Sequence, residues 1–171
     1  MEAWLRGPVD GVPPLLMPVA HMVLHALDDA TQAIEGLSAD QIWATPAGAV
    51  SVGYHVRHLA GALDRLFTYA RGETLNGAQR DALAREAQSG EPDEDAATLV
   101  AELRRAASQA LEQLRNTDER TLLEPRGVGR KQIPTTVLGL LAHGGEHAAR
   151  HAGQAITTAR LVRQQDATVP T

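Results

Sequence analysis

Apolar residues recur at three- and four-residue steps in three stretches of the chain, the spacing of helices with one buried stripe. Leu16, Val19, Val23, Leu27, Ala30 and Ile34 predict a helix over about 15–35, with Gly36 placed to end it. Val52, Val56, Leu59, Leu63, Leu66 and Ala70 predict a second, with Ser51 as its N-cap and Gly72 beyond its end. Leu99, Leu103, Ala106, Ala110, Leu111 and Leu114 mark a third helix that continues to Arg115. Its start is expected at Asp93, where Asp93, Glu94 and Asp95 place negative charge at the positive end of the helix dipole. Pro134 suits the first position of a fourth long helix reaching about Val162.

The intervening segments read differently. Ser38-Ala39-Asp40-Gln41 resembles a capping box for a short helical turn carrying Trp43. Residues 73–93 are polar and hold at most one short helix around 78–87, while 116–132, with Pro125, Gly127 and Gly129, reads as irregular. Residues 1–14 form a loose lead-in with three prolines and two glycines, and 164–171 a tail, leaving one domain over 15–163. The expected fold is all-α, an antiparallel four-helix bundle. The connection between the second and third helices, about 20 residues long, is too long for a tight turn and predicts a crossover.

Composition narrows the picture. Apolar residues make up 43% of the chain, but Phe, Trp and Tyr together number five, fewer than the seven histidines. The apolar content is mostly Ala and Leu, strong helix formers, which argues against a sandwich or barrel. No apolar run approaches the roughly 18 residues of a membrane span, and the N-terminus lacks the basic and apolar regions of a signal peptide. With no cysteine there is no disulfide framework or thiolate metal site, and a cytoplasmic location is the expectation. The net charge of −5 argues against nucleic acid as a partner. No Walker loop, G-x-G-x-x-G or H-E-x-x-H motif is present.

The histidines are grouped. His21 and His25 lie four apart on the first helix, His55 and His58 three apart on the second, and His143, His147 and His151 share one face of the fourth. Two histidines at i and i+4 are spaced to chelate one ion, and a third imidazole from a facing helix completes a set with coordination positions left open. Helical spacing does not choose between His55 and His58, although His55 lies nearer the centre of the apolar stripe and His58 nearer its polar border. Gly144, Gly145 and Gly153 each cost helix stability, which implies a close crossing or reserved space.

The segment Ser51-Val52-Gly53-Tyr54-His55-Val56-Arg57-His58-Leu59-Ala60-Gly61, followed by Asp64-Arg65-Leu66, resembles the second helix of DinB/YfiT-like proteins. Glu146-His147-Ala148-Ala149-Arg150-His151-Ala152-Gly153-Gln154 is similar to that family's terminal H-x-x-x-H-x-G-Q segment, and Gly36-Leu37-Ser38 with Gln41 fits its linker. The resemblance spans about 15–162 and implies an up-down-down-up bundle. It also implies a divalent metal, zinc or nickel, on three histidines: His58, His147 and His151. His143 then either lines the site, contacts a ligand or packs, and His21 and His25 are assigned to the solvent side, with a hydrogen bond to the site as their other option. Family members include isomerases and transferases that use low-molecular-weight thiols. The implied function is a metal-dependent enzyme acting on a small-molecule substrate with such a thiol, His55 or His143 moving protons. The alternative is a non-enzymatic metal-binding stress-response protein that forms a homodimer.

Overall fold

The computed structural model describes residues 1–86, 88 and 94–167. Among these lie six helices: α1 (Met17–Ile34), α2 (Ala39–Trp43), α3 (Val52–Ala70), α4 (Gly77–Arg85), α5 (Ala96–Arg115) and α6 (Val137–Ala167). Two short strands, β1 (Pro125–Val128) and β2 (Ile133–Thr136), pair antiparallel just before α6. Side-chain caps set most of the starts. Ser51 accepts from the Tyr54 amide, Asp95 from the Thr98 amide, and Ser38 and Asn76 each form a full capping box with a glutamine three residues on.

The four long helices form a ring in which α6 packs on α1 and α3, and α5 on α3 and α1. Residue pairings give their directions. His58 faces His147 while Thr158 donates to the carbonyl of Val50, so α3 and α6 run antiparallel. Gly145 lies against Val19 and Met22 while Arg163 reaches the carbonyls of Ala33 and Glu35, so α1 and α6 run parallel. Arg57 meets Glu94 and Gln113 donates to the carbonyl of Phe67, so α3 and α5 also run parallel. Parallel neighbours cannot be joined by a tight turn. The expected crossover is present as residues 71–95 and carries α4.

Small residues make up much of the core. Ala20, Ala26, Ala30, Ala106, Ala107, Ala110, Ala148, Ala152, Ala155 and Ala159 are buried beside leucines, and Phe67 is the only buried side chain of the Phe, Trp and Tyr types among the described residues. Where α6 passes between its neighbours there is no room for a side chain. A Cβ on Gly144 would lie 2.9 Å from the Phe67 ring of α3, and one on Gly145 3.1 Å from Met22 of α1. Gly153 differs: it is exposed, with open space where its Cβ would be, so it neither permits a crossing nor lines a buried space.

Several expectations need correcting. The fourth helix begins at Val137, not Pro134, because Pro134 pairs with Gly127 in a hairpin inside the stretch read as irregular. A two-stranded ribbon is all edge, so a proline without an N–H is tolerated there. α6 also runs past Val162 to Ala167. The third helix starts with Asp95 as its cap; Asp93 and part of the polar stretch before it lie outside the described residues. Residues 1–14 are fastened rather than loose. Ala3 and Val12 are buried, Arg6 pairs with Asp28 at 2.5 Å, and Arg115 donates to the carbonyl of Asp10. No helix is long and apolar enough to cross a membrane among the described residues.

Candidate metal centre

α3 and α6 lie side by side, and their histidines meet across the seam. His58, His147 and His151 each offer a ring nitrogen, and these three atoms lie within 4.8 Å of one another. His58 Nε2 is 2.9 Å from His147 Nε2, and the His151 ring lies 4.4 Å from that of His58 and 4.6 Å from that of His147. The choice left open by helical spacing is thereby resolved in geometry: His58 joins the group. His55, 6% exposed, sits behind it with Nδ1 3.1 Å from Nδ1 of His151. The remaining histidines are outside the group, although the His143 ring lies 5.4 Å from that of His147. His143 is half-exposed at the rim and pairs with Glu146 at 3.3 Å. On α1, His21 contacts the carbonyl of Gly7 at 3.0 Å and His25 pairs with Asp29 at 3.5 Å.

The other ring nitrogens of the group are held unequally. His58 Nδ1 is 2.7 Å from Oε2 of Glu86, a residue of the crossover, and Arg65 binds both oxygens of the same carboxylate. The Tyr54 ring stacks on His58, 6° from parallel at 5.4 Å. His151 has His55 at its Nδ1, whereas His147 Nδ1 is buried with no hydrogen-bond partner.

Burial favours the neutral imidazole at His55, His147 and His151. Burial lowers the pKa of His151 to about 4, with the neighbouring charges of His58 and His147 adding to the effect. Burial followed by His58 lowers that of His55, and the same two causes lead for His147. Burial works against ionisation of Glu86, but hydrogen bonds from His58 and Arg65 outweigh it and hold the carboxyl below its usual range. A neutral histidine that gives its Nδ1 proton to a carboxylate keeps the Nε2 lone pair free. His58 Nδ1 faces the Glu86 carboxylate and its Nε2 faces Nε2 of His147. Three ring nitrogens converging from partly buried rings are a donor set suited to a shared cation, and three imidazoles fit zinc, nickel or a similar ion.

Glu86, Arg65 and Gly61 were not read as site residues from the sequence. Gly61 and Arg65 follow His58 by three and seven positions, so they share its helix face, and that periodicity was a usable signal. Glu86 carries no such mark, because it lies in a polar stretch among many acidic residues.

No curated protein matches the chain. The fold is similar to the crystal structure of a conserved protein of locus from Enterococcus faecalis, with a TM-score of 0.70 and 18% identity over 88% of this chain and 98% of that one. A likeness at that identity speaks to the fold. The family model of the DinB superfamily matches residues 2–155. The chain belongs to the DinB superfamily.

Proposed function

We propose that His58, His147 and His151 hold one divalent metal ion, zinc or nickel, and that this centre serves a reaction on a small-molecule substrate. The observation that carries the reading is the convergence of three ring nitrogens within 4.8 Å from helices that meet only in the folded chain. All three rings are partly exposed, and the group comprises three protein donors among the described residues. That supports a site with coordination positions left for a substrate, as opposed to a closed structural site with four protein ligands.

A divalent ion bound there would supply a Lewis-acid centre able to polarise a substrate oxygen or take up a thiolate. The chain's own residues then have separable tasks. His58, His147 and His151 bind, and Tyr54, stacked on His58, limits movement of that ring. His55, buried against His151, orients it and is the nearest group able to exchange a proton with it. Arg150, paired with Glu146 on the exposed face of α6, lies one residue before His151 and is available to an anionic substrate. The chain has no cysteine, so any thiol in the reaction is supplied from outside, and we infer a low-molecular-weight thiol as the co-substrate of a transferase or isomerase.

The metal content of purified protein tests the first part. Wild type is expected to carry one equivalent per chain, with His58→Ala and His147→Ala carrying almost none; retained metal in both variants would remove the centre. The second part is read in cobalt-substituted protein. Addition of a small thiol is expected to produce a thiolate-to-metal absorption band, and an unchanged spectrum across a panel of such thiols would sink the thiol reading.

A further inference from the structure

Almost all the described residues of the crossover between α3 and α5 are exposed. α4 buries no residue, and among the described residues of 71–95 only Glu86 is buried, at 5% exposure. A segment whose one buried group is a carboxylate is not anchored there by apolar burial; its position depends on what pairs with that charge. Beneath it lies a cavity of about 810 Å³, lined in part by Gly61, Asp64, Gln79, Arg105 and Glu86 itself.

What holds it is a set of residues on one side of α3. Arg65 binds both carboxylate oxygens, and His58 Nδ1 lies 2.7 Å from Oε2. Gly61, between them, leaves the space they use: a Cβ there would collide with Glu86 Oε1 and lie 2.7 Å from Arg65 Nη1. Arg57, one turn earlier, fixes the backbone on either side. It donates to the carbonyls of Arg85 and Gln88 at 3.1 and 2.8 Å and pairs with Glu94, and its guanidinium lies 4.4 Å from the centre of the Trp43 ring. Glu86 is thus delivered from a distant part of the chain to the outer nitrogen of one histidine.

We propose that Glu86 is a positioning residue for the metal centre, resting on the reading of His58, His147 and His151 given above. Its carboxylate accepts the Nδ1 proton of His58, which fixes the tautomer, directs the Nε2 lone pair toward His147 and His151, and makes that nitrogen a stronger donor. Arg65 keeps Glu86 in place through both carboxylate oxygens. Because Glu86 belongs to the crossover, docking of the crossover and occupation of the centre favour each other, each stabilising the arrangement the other needs.

The ring nitrogens of His58 are read directly by NMR of ¹⁵N-labelled, metal-free wild type. Nδ1 is expected to carry the proton, and a proton on Nε2 overturns the proposal whatever the variants do. Zinc affinity is then measured by competition with a chromophoric chelator. Glu86→Gln, which keeps the shape and removes the charge, is expected to weaken zinc binding about 10- to 100-fold with an unchanged circular dichroism spectrum. Should Glu86→Gln fail to fold, Glu86→Asp, one methylene shorter at the same charge, is expected to weaken it as well. Wild-type affinity in a folded variant overturns the positioning role and leaves the metal centre standing. Wild type that binds no zinc or nickel overturns the centre itself, and this proposal with it.

Discussion

His58 is constrained at both ring nitrogens, by Glu86 on one side and His147 on the other, and the rings around it are held in neutral form by burial. This has a consequence for acid stability. His151, with an ordinary value of 6.5, is pushed down to about 4 in the folded chain. As pH falls through that interval the unfolded chain binds the proton and the folded one does not, so folding becomes less favourable. Above 6.5 neither state is charged at this position, and below about 4 both are. The melting temperature of chelator-treated protein is therefore expected to drop across this window, and less steeply in His151→Gln. Equal slopes in the two proteins would contradict the burial of a neutral His151. The pair His147 and His151 was legible in the sequence because a four-residue step on a helix is a spatial fact. The choice of His58 over His55 came from the family resemblance and not from helical spacing, since both lie within reach of the same seam and the packing of α3 on α6 separates them. Glu86 was invisible for a different reason: its contact with His58 spans a crossover whose path no local pattern records.

At the scale of elements, α6 and the crossover are built on opposite principles. α6 is wedged between α1 and α3 with glycine and alanine at its tightest points, whereas the crossover is tied on by Arg57 and Arg65. Gly144→Ala is expected to destabilise the fold by roughly 1–3 kcal/mol, because the added methyl meets the buried Phe67 ring. Gly153→Ala, with open space around it on the same helix, is expected to stabilise by up to about 1 kcal/mol. Urea unfolding of the two variants separates the cases, and a change of the same sign in both would contradict the wedge. Arg57→Ala removes a largely buried ion pair and three backbone contacts, and is expected to cost on the order of 3 kcal/mol. Hydrogen exchange should show lost protection in α4 before the long helices are affected. The apolar stripes of α1, α3 and α5 could be read in advance because each buries a continuous face. The hairpin before α6 could not. Its strands are four residues each, with Pro125, Gly127 and Pro134 among them, residues that locally signal turns and helix starts. Their pairing register comes from tertiary contact, as where Arg126 donates to the carbonyl of Ala70 at the end of α3.

For the whole molecule, the three-histidine group joins the ends of a long sequence separation. His58 lies in the first half of the chain and His147 and His151 near its end, so an ion bound by all three stabilises the native state and not the unfolded one. At a free metal concentration of about 100 times the dissociation constant the gain is about 2.7 kcal/mol, which for a chain of this size raises the melting temperature by roughly 5–10 °C. His147→Ala is expected to abolish that rise. The scarcity of aromatic residues fits this arrangement: alanine and glycine let α3 and α6 approach closely enough for imidazoles on both to share a point. The most direct measurement is a crystal structure of protein grown with zinc, with diffraction recorded on both sides of the zinc absorption edge. A single anomalous peak is expected within about 2.0–2.1 Å of one ring nitrogen each of His58, His147 and His151. A peak bonded elsewhere, or none at that position in zinc-saturated crystals, would contradict the three-histidine centre.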